Sequence, residues 1–401
     1  MACLGGHRFQ SRRSGENERV KTLLAIISVA VAVALPAGSV PAARSACPSQ
    51  GQAFIYGQNG WETITNALAA NQTPCLQYYI VLTAITDKTF PRGRRAIDFV
   101  HAKGSNFHVL AEFNWTAWSK VAPASWYSKG VTFRRRMASA GYNPALGDSW
   151  AVNELSSAVR SKVAARTKVR EALRGLFRGP PRSAPMMGAA FTIGATQRLV
   201  NFGPYKAQTE SWLADAGFWS AVTPYVAWWG QEAYTRCSSV CVASAKIAVR
   251  SSHINDFVEH PAKLAFVGPP AAAAARSLFD RSYFPLMTAY WNDPRGYGDN
   301  RVSADVMQKF VSLEVYAARS WAGRNPYPDG RIGFAWNEHP AGATPAQVQA
   351  LATRLARAIQ IAYGDGGTAS RACSPTGAFT LCKAAVQGAA FNEGWKTFET
   401  W

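Results

Sequence analysis

The chain alternates between short apolar runs and longer segments in which apolar residues recur at helical spacing. Apolar runs stand at 53–60, 77–85, 106–115, 149–155, 184–194, 223–234, 283–293 and 331–340. Near-continuous apolar runs separated by amphipathic segments are typical of parallel strands that are covered by helices on both faces. The pattern therefore predicts eight strand–helix units.

The segments between the runs predict most of the helices. We expect helices at 61–70, 94–103, 160–182, 205–216, within 242–277, at 304–322 and at 345–363. The last of these has Thr344 as its N-cap and Pro345 at its first position, which is the residue order that favours a helix start. After the third run we expect a long Trp-rich connection.

Eight strand–helix units predict a closed (β/α)8 (TIM) barrel, that is, a single α/β domain over 47–368. Residues 369–401 would form a C-terminal extension that packs on the barrel. An open doubly wound sheet is the alternative, although such sheets usually have fewer units. The first run ends on "YGQNG", which is not a Gly-rich phosphate loop, and this counts against a dinucleotide-binding sheet.

Residues 1–42 have the composition of a secretory signal peptide. A basic lead containing Arg12 and Arg13 precedes an apolar stretch over 22–35, and small residues follow it. The apolar stretch is short for a membrane span. We therefore expect cleavage after Ala42, no membrane span in the mature chain, and a secreted protein that is extracellular or associated with the cell wall.

The cysteine content agrees with export. Of seven cysteines, Cys3 lies in the predicted leader, which leaves six in the mature chain. An even number of cysteines in an exported chain indicates disulfides, and their spacing favours sequential pairs. The predicted pairs are Cys47–Cys75, Cys237–Cys241 and Cys373–Cys382, the last of which would pin the C-terminal extension.

The formal net charge of +19 favours association with anionic polymers. The charge is concentrated in the segment 160–182, where eight basic residues accompany one acidic residue, Glu171. This segment is either an amphipathic helix with a solvated basic face or a docking face for a polyanion such as an anionic cell-surface polymer.

Polar and aromatic residues gather where the apolar runs end, which in a barrel is the edge that carries the chemistry. Carboxylates, amides and tryptophans in one cleft are typical of carbohydrate sites, because aromatic faces stack on sugars and amides bind hydroxyls. The candidate substrate-binding residues at these ends are Asn153, Glu112, Trp229, Trp291, Asp293, Trp336 and Asn337. Glycoside hydrolysis also needs two carboxylates that flank the bond to be cleaved.

The dipeptide Asn153-Glu154, at the end of the fourth run, resembles the Asn-Glu found there in the large retaining clan of (β/α)8 glycoside hydrolases. The resemblance implies that Glu154 is the general acid/base and that Asn153 binds a sugar hydroxyl. The chain departs from the clan at the seventh run, where "AYWNDPRG" contains Asp293 instead of a glutamate. Glu232 and Glu338 are the candidates for the second catalytic carboxylate.

Other chemistries lack their motifs. The chain contains no GxSxG, no HExxH and no P-loop, so we expect no metal, no cofactor and no specific nucleic-acid partner. The leading hypothesis is a secreted glycoside hydrolase-like protein that acts on a polysaccharide or glycoside. The alternatives are a catalytically inactive barrel that binds an anionic polysaccharide, and an adhesin that binds polyanions through the basic segment alone.

Overall fold

The computed structural model describes strands, helices and the short connections between them. The described residues are 51–57, 60–73, 76–82, 90–112, 125–152, 155, 159, 163–177, 189–193, 212–232, 272–290, 307–308, 311–312, 314–315, 331–337 and 344–363. The predicted leader, the predicted C-terminal extension and all the cysteines of the predicted disulfides lie outside these residues.

Eight parallel strands lie in the described part of the chain and pair in sequence order. They are β1 (Gly51–Gly57), β2 (Leu76–Leu82), β3 (Phe107–Glu112), β4 (Ser149–Val152), β5 (Ala189–Ile193), β6 (Val226–Glu232), β7 (Tyr283–Tyr290) and β8 (Arg331–Asn337). β8 also pairs with β1. The prediction of an α/β chain with a parallel sheet is confirmed.

Helices follow most of these strands. The described ones are α1 (Trp61–Ala70), α2 (Phe90–His101), α3 (Trp126–Ser139), α4 (Val163–Phe177), α5 (Ala216–Val222), α6 (Ala273–Ser282) and α7 (Pro345–Tyr363). Two short 3-10 helices, η1 (Pro144–Leu146) and η2 (Thr223–Tyr225), precede β4 and β6. The predicted helix between β7 and β8 is described only at scattered positions from Met307 to Val315.

The two faces of the strands form two separate cores. One core consists of strand residues alone, among them Phe54, Tyr79, Trp228 and Phe284, and we call the face that carries it the inner face. The larger core lies between the opposite strand face and the helices. Because side chains alternate along a strand, residues at even spacing from Phe54 and Trp228 belong to the inner face of β1 and β6.

Phe284 is closely packed within the inner core. Phe284 stacks on Phe54 with ring centroids 4.1 Å apart. A Cβ at Gly230 would lie 2.5 Å from the Phe284 ring, and one at Gly333 would lie 2.7 Å from it. The two glycines therefore leave the space on β6 and β8 that the ring of Phe284 on β7 occupies.

The predicted helices agree with the structure at some positions and not at others. α1 and α7 have the predicted bounds, and Thr344 caps α7 by accepting a hydrogen bond from Gln347 N at 3.3 Å. α3 lies in the segment after the third run, for which no helix bounds were predicted. The predicted helix at 205–216 is wrong in its last part, because 212–215 form a turn and α5 begins only at Ala216; 205–211 lie outside the described residues.

Candidate functional site at the carboxyl ends of the strands

Glu112 is a buried carboxylate at the carboxyl edge of the sheet. It is the last residue of β3, and it pairs in register with Ala151 of the inner core. Leu110, two residues earlier, is also part of the inner core, so Glu112 occupies an inner-face position. Only 7% of the surface of Glu112 is exposed. Burial of a carboxylate is costly, so its place here indicates a constraint other than packing.

Three further polar residues lie at the ends of described strands. Glu232 ends β6 and pairs in register with Leu286 of β7. Tyr290, the last residue of β7, pairs with Asn337, the last residue of β8. The backbone thus places the ends of β3, β6, β7 and β8, with these residues, at one edge of the sheet.

Tyr56 is a buried polar residue near the carboxyl end of β1 that the strand-end interpretation missed. It is 4% exposed, lies in the inner core, and is the last but one residue of β1. The signal that would have found it is the alternation from Gln52 through Phe54 to Tyr56.

The prediction that Trp229 lines a cleft is wrong. Trp229 is fully buried on the helix-facing side of β6, where it stacks on Trp219 with centroids 5.1 Å apart. Phe279 of α6 meets it edge-on at 5.6 Å. Its neighbour Trp228 takes the inner-face position instead, because a shift of one residue moves a side chain to the opposite face of a strand.

The prediction that Trp336 lines a cleft is wrong for the same reason. Trp336 is 1% exposed and belongs to the core between the strands and the helices. Its indole Nε1 donates a hydrogen bond to the carbonyl of Gly60 at 3.1 Å, immediately before α1. The side chain therefore fastens β8 to the start of α1.

Several predicted site residues lie outside the described part of the chain. They are Asn153, Glu154, Trp291, Asp293 and Glu338. β4 ends at Val152, directly before Asn153-Glu154. The structure places Glu232 at the end of β6 and Asn337 at the end of β8. The catalytic role of Glu232 and the substrate-binding role of Asn337 stay predictions.

The amino-terminal edge of the inner face carries a hydrogen-bonded polar network. Gln52 Oε1 accepts hydrogen bonds from Trp228 Nε1 at 3.0 Å and from Arg331 Nε at 2.8 Å. Burial raises the pKa of Tyr79, which bonds Gln52, above its usual range. These groups join strands β1, β2, β6 and β8, so we interpret this edge as structural.

His108 extends this network to β3. Its Nδ1 lies 2.6 Å from the carbonyl of Leu146, which can only accept, so Nδ1 carries the proton. Its Nε2 is in contact with the side-chain oxygen Oε1 of Gln77. Burial, the largest influence on this side chain, lowers the pKa of His108. A Cβ on Gly147, at φ 92°, would lie 2.7 Å from the ring, so the glycine lets the chain pass closely.

Asp148 is a second buried anchor at this edge. Its carboxylate is fully buried and accepts hydrogen bonds at 2.8 Å from the backbone N–H groups of Val109 and Asn143. His101 Nε2 lies 3.0 Å from both carboxylate oxygens. The hydrogen bond to Asp148 raises the pKa of His101. The carboxylate thereby ties the end of α2 and the start of β3 to the entry of β4.

Comparison with family models, with curated proteins and with solved structures finds no match to this chain. Within the described ranges, no three or more His, Cys, Asp or Glu residues are grouped so that they could hold a metal ion. The helices described here also include none with the length and apolar character needed to cross a membrane.

Proposed function

We propose that the chain is a single-domain (β/α)8 barrel of the glycoside hydrolase kind, which acts on a polysaccharide or glycoside at the carboxyl ends of its strands. The observation that carries the proposal is Glu112, a buried carboxylate at an inner-face position where β3 ends. The strand position of Glu232 at the same edge supports it. The step from a parallel ladder to eight complete strand–helix repeats belongs to this proposal.

The proposed chemistry uses two carboxyl groups. Glu154 protonates the glycosidic oxygen as the bond to the leaving group breaks. The second carboxylate, Glu232 or Glu338, either attacks the anomeric carbon or activates a water molecule on the opposite side of the sugar. Glu112, Asn153 and Asn337 accept or donate hydrogen bonds to the sugar hydroxyls.

Variants of the individual carboxylates test this proposal. Hydrolysis is followed as new reducing ends over a panel of neutral and acidic polysaccharides and chromogenic glycosides. We expect Glu154→Gln to reduce kcat at least about a hundredfold, the usual lower contribution of a general acid. Glu232→Gln and Glu338→Gln identify the partner, since only one of them should have a comparable effect.

The control is Glu62→Gln, because Glu62 is an exposed carboxylate in the first turn of α1. It should leave kcat and KM unchanged. Turnover that survives Glu154→Gln, Glu232→Gln and Glu338→Gln alike would refute carboxylate catalysis.

A catalytically inactive carbohydrate-binding barrel is the second candidate. It is favoured by the seventh strand, which ends on Tyr290 and is followed by "WNDPRG" without the glutamate of the retaining clan. Calorimetry against the same panel distinguishes the two candidates. Binding that is weakened by Glu112→Gln, without turnover of any substrate, would favour the inactive barrel.

We also propose that the chain is exported, cleaved after Ala42, and stapled by the three sequential disulfides. The basic, apolar and small-residue order of the first residues and the even number of remaining cysteines support this. Mass spectrometry of the mature chain, before and after reduction, tests both statements. A mature chain that begins at Met1, or that gains no hydrogens on reduction, would contradict them.

A further inference from the structure

Helices α3 and α4 pack against each other at backbone contact. A Cβ on Gly130 of α3 would lie 2.8 Å from Leu176 N of α4, and a Cβ on Gly175 would lie 3.0 Å from Val131 N. Glycines at both positions let the two helix backbones touch. The outward faces of α3 and α4 therefore form one continuous surface.

This surface is strongly basic. The two helices contain eight basic residues and a single acidic residue, Glu171. Arg166 is turned to the interior, where its Nη1 bonds Asp215 at 2.6 Å before α5. Arg135 of α3 and Arg170 and Arg174 of α4 are exposed.

The single acidic side chain is already occupied. Glu171 bonds Arg170 Nε at 3.0 Å and Arg174 Nη1 at 2.6 Å. The two arginine side chains nevertheless remain 44% and 52% exposed. One carboxylate shared by two guanidinium groups leaves the pair with a net positive charge that faces solvent.

An exposed aromatic residue lies within the same surface. Tyr127 of α3 is 37% exposed, and the Arg174 guanidinium lies over its ring at 5.6 Å from the centroid. This cation–π contact connects the two helices and restricts the guanidinium to one place. We call Tyr127, Arg170 and Arg174 the basic surface.

We propose that the basic surface is a docking site for an acidic polysaccharide, separate from the site at the carboxyl ends of the strands. The fold does not need these charges, because exposed ion pairs of this kind contribute little to stability. A polymer of uronate residues presents a row of carboxylates that guanidinium groups can bind through paired hydrogen bonds. The choice of a polysaccharide as the ligand rests on the proposed function. The expectation of an anionic ligand rests only on the charge of the basic surface.

The test is binding of polygalacturonate, measured by calorimetry at low and at raised salt. Its fully methyl-esterified form, which has the same backbone without the charge, is the matched ligand control. We expect the double variant Arg170→Gln/Arg174→Gln to bind polygalacturonate about tenfold more weakly than the unmodified chain, and with a shallower dependence on salt. The methyl-esterified polymer should not bind at the basic surface of the unmodified chain or of the double variant.

A matched protein control removes the same charge elsewhere. Arg94→Gln/Arg95→Gln alters two exposed arginines of α2, and we expect less than about a twofold change in binding. Tyr127→Phe, which keeps the ring, should bind as the unmodified chain does. Tyr127→Ala should weaken binding, because Arg174 loses the contact that positions it. Thermal melts confirm that each variant is folded.

The results separate this proposal from the proposed function. Equal losses in the α2 and α4 double variants would overturn the basic surface, since only net charge would then matter. Duplex DNA that binds as tightly as polygalacturonate would overturn the choice of a polysaccharide. Loss of polygalacturonate binding in the α4 variant, with unchanged hydrolysis of a small glycoside, supports both proposals. A different outcome is a chain that neither binds nor hydrolyses any small glycoside, while the α4 variant still loses polygalacturonate binding. That result would support the docking site and refute the proposed function at the strand ends.

Discussion

The substitution Asp148→Asn tests the buried anchor at the amino-terminal edge of the sheet. The Asp148 carboxylate accepts two backbone N–H groups, from Val109 and Asn143, and bonds the imidazole of His101. An asparagine keeps one oxygen acceptor and turns an NH2 group toward one of these donors. At least one buried N–H then loses its partner, and His101 loses its carboxylate.

The expected cost follows from these two losses. An unsatisfied buried donor costs about 1–3 kcal/mol, and a hydrogen bond to a charged group contributes about 1.5–3 kcal/mol. We therefore expect Asp148→Asn to lower the free energy of unfolding by about 3–5 kcal/mol, as is typical of a broken buried pair. Urea denaturation followed by tryptophan fluorescence near pH 6, where His101 is protonated, measures this change.

The control is Asp98→Asn, which changes an exposed carboxylate on α2, the helix of His101. It should alter the free energy of unfolding by no more than about 0.5 kcal/mol. A loss below about 1 kcal/mol for Asp148→Asn would refute the reasoning, since it would mean that water or a rearranged backbone satisfies the donors.

Three further predictions concern residues with described contacts. Because the pKa of His101 is raised in the folded chain, its contribution to stability is complete below the unfolded pKa of about 6.5 and is lost as the pH rises through the folded pKa. Denaturation across this range should show that decline, and His101→Gln should remove it. Gly333→Ala places a Cβ against Phe284 and should cost about 1–3 kcal/mol by overpacking, as measured by urea denaturation. Phe284→Leu should recover part of that cost, and a cost unaffected by Phe284→Leu would contradict the assigned contact. Asp215→Ala removes the N-cap bond to Phe218 N at 2.9 Å and should lower stability by about 1 kcal/mol or more, whereas Asp215→Asn should lower it less. The pKa of Asp215 is lowered, chiefly by that N–H, so its contribution is present above the unfolded pKa and is lost as the pH falls through the folded pKa.

The strands could be predicted from the sequence, because a buried parallel strand is a continuous apolar run. α3 could not be predicted as readily. Its apolar residues Trp126, Phe133 and Met137 share one face, but Gly130 and the basic run 134–136 interrupt the pattern. The physical reason for Gly130 is contact with α4, which lies more than forty residues further along the chain.

The sequence could indicate which residues lie at the strand ends, but not which face of the strand each side chain occupies. The composition of the strand ends indicated polar residues at one edge, and Glu112 lies there as expected. The face on which each residue lies depends on register, which composition does not give. Trp228 and Trp229 are adjacent tryptophans with opposite environments, and only the packing of Trp229 on Trp219 assigns them.

The two edges of the sheet carry polar residues for different physical reasons. At the amino-terminal edge, Gln52, His108 and Asp148 are linked by hydrogen bonds to neighbouring strands or to the chain that enters them. Their arrangement is explained by the fold, so substitutions there should reduce stability first. At the carboxyl edge, Glu112 occupies a buried inner-face position at which the parallel fold itself favours apolar residues. A buried carboxylate at this position is a candidate for function, so Glu112→Gln should weaken ligand binding with a smaller effect on unfolding than Asp148→Asn.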